Sequence, residues 1–221
     1  IKIDNYIYLS EKDKKITSVG FSKKEIKNHK GISGLKYYLV ILYLRKHVQT
    51  FGQIALTLND LLQEIGYSTK TNNKSIYSDF REIIKTELIN KGYASCNTDI
   101  FVVKPNDLFY LQLSYERNVF FTEDSFVQIT ISEYEKICSI SSKINKSILL
   151  GIYLYIKQYI MDYPGDIAPA KISFPSKSQI AKGLDTSIST VENGLSVLES
   201  YKLIYIRRDM FVENKKEEGV F

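Results

Sequence analysis

Residues 174–208 read FPSKSQIAKGLDTSISTVENGLSVLESYKLIYIRR and predict two short helices followed by a strand. Ser176 and Gln179 have the spacing of a capping box, and Ser187 is placed to cap the second helix. Gly183 lies where the first helix is expected to end in an open turn. Apolar residues follow each cap at helical spacing: Ile180, Ala181 and Leu184, then Val191, Leu195 and Leu198. Two helices separated by a turn of about three residues predict a helix-turn-helix.

The other face of the second helix carries small polar side chains: Ser189, Thr190, Asn193 and Ser196. Hydroxyl and amide groups allow a helix to approach base edges and phosphates in the major groove. Glu192 lies on the same face. It fits either a hydrogen bond from cytosine N4 or a helix that packs against another protein.

The strand that follows predicts a β-hairpin. In KLIYIRRDMFVE, residues 202–213, Leu203, Tyr205 and Arg207 alternate with Ile204, Ile206 and Arg208, which predicts a tip with Arg207, Arg208 and Asp209. A helix-turn-helix followed by a hairpin is a winged helix, and this segment resembles winged-helix DNA-binding proteins.

An altered copy of the motif lies upstream. TLNDLLQEIGYS, residues 57–68, aligns with residues 176–187, so that Thr57 and Asp60 take the places of Ser176 and Gln179. After an inserted TKTNNK loop, a second helix is predicted from apolar residues at helical spacing: Ile76, Phe80, Ile83 and Ile84. Residues 92–113 predict strand, turn, strand, turn and strand, which makes a larger wing.

The similarity extends towards the N-terminus. LYLRKHV, residues 42–48, resembles LYIKQYI, residues 154–160, and capping boxes are predicted in FSKKE, residues 21–25, and ISEYE, residues 131–135. We interpret this as an internal duplication with a period of about 110 residues. The predicted fold is α+β, mainly α, with two tandem winged-helix domains at 1–120 and 121–221. The junction at residues 114–126 has no Gly or Pro, so we expect the halves to pack together.

The first unit has its own candidate contacts. Lys70 and Lys74 flank the start of its second helix, and Asn73 or its neighbour Asn72 is expected to cap it. A helix N-terminus attracts phosphate. If Ile76 and Phe80 are buried, Ser75, Tyr77, Ser78 and Arg81 are exposed. The predicted DNA-contacting residues are Lys70, Asn73, Lys74, Ser75, Tyr77, Ser78, Arg81, Ser187, Ser189, Thr190, Asn193, Ser196, Arg207 and Arg208.

The charge distribution bears on the partner. The chain has a net charge of +5, and residues 1–48 alone carry 11 Lys and Arg against 4 Asp and Glu. This basic leading arm is typical either of contact with a polyanion or of a solvated lysine-rich face.

Catalytic and membrane signals are missing from the sequence. The two cysteines and two histidines are not at metal-ligand spacing, so we expect no metal and reduced cysteines in packing positions. Neither a phosphate-binding loop nor a nucleophile motif occurs, so we expect no cofactor and no enzymatic activity. The longest apolar run, residues 148–156, is shorter than the ~20 residues of a membrane span. With no signal-peptide pattern at the N-terminus, these features predict a cytoplasmic protein without membrane contact.

Two rigidly joined winged helices, each with a long leading helix, resemble the plasmid replication initiators that bind repeated origin sequences (iterons). This resemblance implies binding to successive major grooves of double-stranded origin DNA. It also implies switching between monomer and homodimer, and recruitment of host replication proteins. Two recognition helices on one face of a duplex would lie about 34 Å apart. A transcriptional regulator at a promoter operator, and a winged-helix protein-interaction module without DNA binding, are the alternatives.

Overall fold

Helices and small antiparallel sheets alternate along the computed structural model, which describes residues 18–49, 52–67, 74–114, 126–163, 170–173 and 175–206. The predicted class, α+β and mainly α, is confirmed. The α-helices are α1 Lys23–Asn28, α2 Gly31–His47, α3 Leu58–Glu64, α4 Lys74–Ile83, α5 Ile131–Ser139, α6 Lys146–Lys157, α7 Lys177–Leu184 and α8 Ile188–Ser200, and a π-helix, Ile84–Ile89, continues α4. The strands are β1 Ser18–Ser22, β2 Gln53–Leu56, β3 Ala94–Cys96, β4 Phe109–Leu113, β5 Phe126–Thr130, β6 Met161–Tyr163 and β7 Ala170–Ile172.

Capping boxes start α1, α3, α5 and α7. The predicted boxes at Ser22, Thr57 and Ser176 are confirmed, because each hydroxyl accepts the N–H three residues later. The box predicted within residues 131–135 is wrong by two positions. Thr130, the last residue of β5, has extended backbone and pairs with Glu133, so α5 has already begun at Ile131.

The sheet of the first half has the order β2-β4-β3. The first and last of the three strands predicted within residues 92–113 are confirmed as β3 and β4, which pair with each other, but the middle strand expected at residues 100–104 is wrong. Those residues form turns, in which the Asp99 carboxylate and carbonyl accept backbone N–H groups from Phe101 and Val102. Ile100 and Val103 still point into the core. The third strand is instead β2, which precedes α3 and pairs antiparallel with β4.

The second half repeats the order of the helices of the first but not its sheet, because β6 pairs with β7 before α7 whereas β2 pairs with β4, which follows α4. A strand and a short helix lead into a long helix, and strands between α6 and α7 precede the paired helices α7 and α8. Residues 201–206 form no strand, and the rest of the predicted C-terminal hairpin, with Arg207 and Arg208, lies outside the described residues.

The core lies around α2 and α6. Every residue from 35 to 45 in α2 is buried, and so is every residue from 146 to 155 in α6. A helix that is buried on all sides must be covered by neighbours all round. Helices α3, α4, α5 and α6 pack on α2, and α5, α7 and α8 pack on α6. Among the described helices, none has both the length and the apolarity to span a bilayer.

The halves are in direct contact. β1 pairs antiparallel with β5, and α2 packs on α6, where a Cβ built on Gly151 would lie 2.8 Å from Leu35 Cδ2. Lys46 Nζ, at the end of α2, contacts Glu64 at 3.1 Å and Glu135 of the second half at 2.8 Å. Burial raises the pKa of the Cys138 thiol, in α5, to about 12, which suits a reduced packing residue.

The substitution Gly66→Ala tests the contact between the halves. Gly66 has φ +81°, and a Cβ there would lie 2.7 Å from the backbone oxygen of Cys138 in the other half. Left-handed backbone and a backbone clash together predict a loss of about 2 to 4 kcal/mol in the free energy of unfolding. The control is Gly92→Ala in an exposed turn with φ +73°, which has the backbone strain and predicts a loss of about 1 to 2 kcal/mol. Equal losses in urea melts would contradict the assigned contact.

Candidate nucleic-acid interface

The start of α4 presents a polar face. Lys74, Ser75 and Ser78 are exposed, which confirms the exposure predicted for both serines. Lys70 and Asn73 lie outside the described residues. An ammonium group and two hydroxyls on one helical face are able to contact phosphates and base edges.

Tyr77 does not belong to this face. The prediction that it is exposed is wrong, since only 8% of its surface is accessible and its hydroxyl donates to Asn59 Oδ1 in α3. The inward stripe of α4 starts at Tyr77, whereas Ile76 is only partly buried. The Asn59 amide in turn donates to Asn106 in the loop before β4. Tyr77 therefore positions α4 against α3 and that loop.

Arg81 also positions α4. The side chain is partly buried rather than exposed as predicted. Its Nε and Nη2 donate to the carbonyl oxygen of Val103 at 3.2 and 2.7 Å. The guanidinium therefore ties α4 to the loop between β3 and β4.

A third link joins α4 to the core. Lys36 in α2 is buried, with 6% of its side chain accessible, and its ammonium donates to the Asp79 carboxylate in α4. A buried charge is costly unless it is paired and hydrogen-bonded. This pair therefore holds α4 against α2 and leaves the polar face of α4 outward.

Hydroxyl groups surround the start of α8. Ser187 Oγ accepts from the N–H of Thr190 at 3.1 Å, which confirms the predicted N-cap. The same oxygen lies 3.0 Å from Ser189 Oγ and 2.8 Å from Thr190 Oγ1. Ser189 is exposed and Thr190 is partly buried. Hydroxyls at a helix N-terminus, where the dipole favours negative charge, suit contact with a phosphate oxygen.

Farther along α8, Asn193 and Ser196 are exposed, and Ser196 Oγ donates to the Glu192 carbonyl at 3.0 Å. The Glu192 carboxylate accepts from Lys177 Nζ at 2.9 Å, with about half of each side chain exposed. Lys177 is a residue that the sequence reasoning missed. Lys177 is the first residue of α7. The one signal for it in the sequence was its position directly after the predicted N-cap Ser176, close to the outward face of α8.

Two glycines allow α7 and α8 to approach α6 closely. A Cβ built on Gly183 would lie 2.0 Å from the Tyr155 ring, and one on Gly194 would lie 2.4 Å from Ile152 Cδ1. Gly183 lies near the end of α7, as expected, although it is still a helical residue. The left-handed residue of the turn is Asp185, with φ 54°.

The burial patterns of α4 and α8 match when Lys74 is aligned with Ile188. The inward positions then pair as Tyr77 with Val191 and Phe80 with Gly194, and Ile84, in the π-helix that continues α4, pairs with Leu198. The outward positions pair as Ser75 with Ser189, Ser78 with Glu192, and Glu82 with Ser196. The two helices thus present equivalent faces with different side chains.

The loop between β3 and β4 has a different character from both helices. The side chains of Phe101, Val102 and Leu108 are each at least half exposed. The loop, residues 97–108, has a single basic residue, Lys104. An apolar tip is better suited to contact with protein than with phosphate.

Within the described ranges, no three His, Cys, Asp or Glu side chains are grouped so that they could hold a metal ion. No protein-family model, curated protein or solved structure matches the chain.

We expect Asp79→Ala to lower the free energy of unfolding by about 3 kcal/mol, because it leaves the Lys36 ammonium buried without its partner. Adding Lys36→Met removes the unpaired charge, so the double variant should be more stable than Asp79→Ala alone. Chemical denaturation of both single variants and the double variant measures the coupling. Additive losses would contradict the pairing.

Proposed function

We propose that the chain is a double-stranded DNA-binding protein built from two tandem winged-helix units that arose by duplication. The observation that carries the proposal is the pair of equivalent outward faces on α4 and α8, each held by a buried leading helix. Both faces expose side chains that read base edges or contact phosphates.

Several features of the fold support this proposal. In each half a long helix precedes the two helices of the helix-turn-helix. In the first half, a β-hairpin follows α4, and Tyr77 and Arg81 fix α4 against neighbouring elements. For the second half, the hairpin predicted over residues 202–213 has no strand within the described residues up to 206, and Arg207 and Arg208 lie outside the described residues.

The proposed contacts divide into two kinds. Lys74 and Lys177, together with Lys70, Arg207 and Arg208, supply positive charge for phosphates. The side chains proposed to face base edges are Ser75, Ser78, Ser189, Asn193 and Ser196, while Asn73, Ser187 and Thr190 lie at the helix starts. We propose Tyr77 and Arg81 as positioning residues rather than as contacts. The proposal includes no bond-making chemistry and no cofactor.

We further propose that the protein is a replication initiator of a plasmid or other mobile element. Support for this role is the resemblance of two rigidly joined winged helices to proteins that bind origin repeats. A protein-interaction role is the second candidate, since the exposed Phe101, Val102 and Leu108 form an apolar tip that fits a protein surface.

We expect wild-type protein to bind a random duplex with an affinity that falls as salt rises, because phosphate contacts release counterions. Lys74→Glu with Lys177→Glu should weaken binding at least tenfold and reduce the log–log salt slope by about 2. Fluorescence anisotropy at several salt concentrations measures both quantities. A log–log salt slope of zero for the wild-type protein would contradict the proposed DNA binding.

The matched control is Lys136→Glu with Lys143→Glu, which makes the same change in net charge at exposed positions outside the helix-turn-helix pairs. Its effect on affinity should be several-fold smaller. An equal effect would mean that general charge, and not the two faces, determines binding.

Footprinting on the DNA that neighbours the coding sequence separates initiation from regulation. We expect several copies of one site in direct orientation. A single operator over a promoter would contradict the initiator role and favour a transcriptional regulator.

A further inference from the structure

We infer that His29 carries protons on both ring nitrogens in the folded chain and acts as a proton-dependent latch on the π-helix that continues α4. His29 lies between α1 and α2, and its ring contacts Glu87 of the π-helix. This inference goes beyond the proposed function and does not depend on DNA binding, because it concerns how the fold responds to pH.

Both ring nitrogens of His29 face oxygen acceptors. Nδ1 lies 3.0 Å from the backbone carbonyl oxygen of Glu25, and Nε2 lies 3.1 Å from Oε2 of Glu87. A carbonyl oxygen only accepts hydrogen bonds, and so does an ionised carboxylate. A neutral imidazole has one N–H and one lone pair, so it can make only one of these two hydrogen bonds. Both bonds together require the imidazolium ion.

The Glu87 carboxylate is held in its ionised form. Burial alone would raise the pKa of Glu87, but hydrogen bonds from Lys91 and His29 outweigh burial and lower this pKa. Lys91 Nζ and His29 Nε2 contact the same oxygen, Oε2. Glu87 is therefore an acceptor at neutral pH, and the ring of His29 has to be the donor.

Two tyrosine rings suit a positive charge at this position. The His29 ring is stacked on the Tyr37 ring, with the centroids 3.8 Å apart and 4° between the planes, and it makes a T-shaped contact with Tyr38 at 5.9 Å. The face of an aromatic ring attracts a cation. Tyr37 is itself fixed, because its hydroxyl donates to Glu25 Oε1 at 3.0 Å. Only 14% of the His29 side chain is accessible, so little water competes for its two donors.

The titratable and charged groups that face His29 come from three parts of the fold. They are Glu25 of α1, Tyr37 and Tyr38 of α2, and Glu87 and Lys91 of the π-helix and the turn after it. The Lys91 ammonium repels an imidazolium ion, as do Lys27 and Lys30, which are exposed and close in the chain. Solvent screens the charges of exposed lysines, whereas Glu87 is in direct contact. The surroundings therefore favour the cation.

The position of Glu87 explains why this contact matters for the fold. π-Helical turns are rare and occur frequently at functional sites. In this one, the N–H of Asn90 donates to the carbonyl oxygen of Lys85 at 2.8 Å. Ile84 and Leu88 bury one side of the π-helix, and the bond from His29 to Glu87 ties it to the segment between α1 and α2. Loss of one proton from His29 places a lone pair against an oxygen and weakens this tie.

Stability is thereby linked to pH. An imidazole in an unfolded chain titrates near pH ~6.5. The folded chain, which keeps the second proton, binds more protons than the unfolded chain above this pH, so the free energy of unfolding falls as pH rises. His47, the other histidine of the sequence, provides a comparison. Within the described ranges its ring hydrogen-bonds through Nε2 alone, to Glu64, and a neutral tautomer can make that bond.

NMR of the histidine ring tests the protonation state. In His47→Gln, His29 is the one histidine left in the sequence, so its ring ¹⁵N signals are identified directly. At about pH 7.5, where an ordinary histidine is mostly neutral, we expect protons on both ring nitrogens of His29. The amide signals of Ile84–Ile89 should shift when the ring loses a proton at higher pH, because Glu87 lies among them. A neutral ring at about pH 7.5, or a ring titration that leaves those amides unmoved, would overturn the inference.

Urea unfolding at several pH values gives an independent test. Between about pH 6 and 8, the unfolding equilibrium constant of the wild type should rise about tenfold relative to that of His29→Gln, which has no ring proton to lose. Glu87→Gln should also flatten the pH dependence, since an amide can donate to a neutral ring nitrogen. His47→Gln is the matched control and should keep most of the wild-type dependence. The inference fails if His29→Gln responds to pH as the wild type does.

Discussion

The mutual burial of α2 and α6 is the constraint on which the rest of the fold depends. Both helices are apolar on nearly every side, so neither is stable unless elements from both halves cover it. The first half supplies α3 and α4 to α2, and the second half supplies α7 and α8 to α6. The contact between the two long helices then fills the remaining side. As a result, α3 and α4 in the first half, and α7 and α8 in the second, are held by the same packing that forms the core.

The local features of this fold are readable from the sequence, whereas the long-range ones are not. A capping box needs only two residues three positions apart, and three of the predicted boxes are confirmed. The box of α5 was misplaced because Thr130–Glu133 and Ser132–Glu135 both have this spacing. The pairing of β2 with β4 joins residues far apart in the chain, and no local pattern indicates it.

In the candidate interface, too, the sequence predicted most exposed positions correctly but not the contacts between elements. The outward positions of α8 follow from its helical period. In α4 and the residue after it, Phe80, Ile83 and Ile84 are buried as predicted, but Tyr77 is buried in place of Ile76. Tyr77 has a large apolar ring and a polar hydroxyl, so it is buried where that hydroxyl donates a hydrogen bond to Asn59. Sequence also does not reveal which charges are already paired. Asp79 is held by Lys36, Arg81 by the Val103 carbonyl and Glu192 by Lys177.

The direct passage from strand to helix at Ser22 and Thr130 has a mechanical consequence. Each residue ends a strand of the β1–β5 pair and also caps the next helix. Separating the two strands would therefore displace both N-cap residues at once, and the first turns of α1 and α5 would fray together. The β1–β5 pair is thus coupled to the starts of α1 and α5, and a force applied to either strand would be transmitted to both halves.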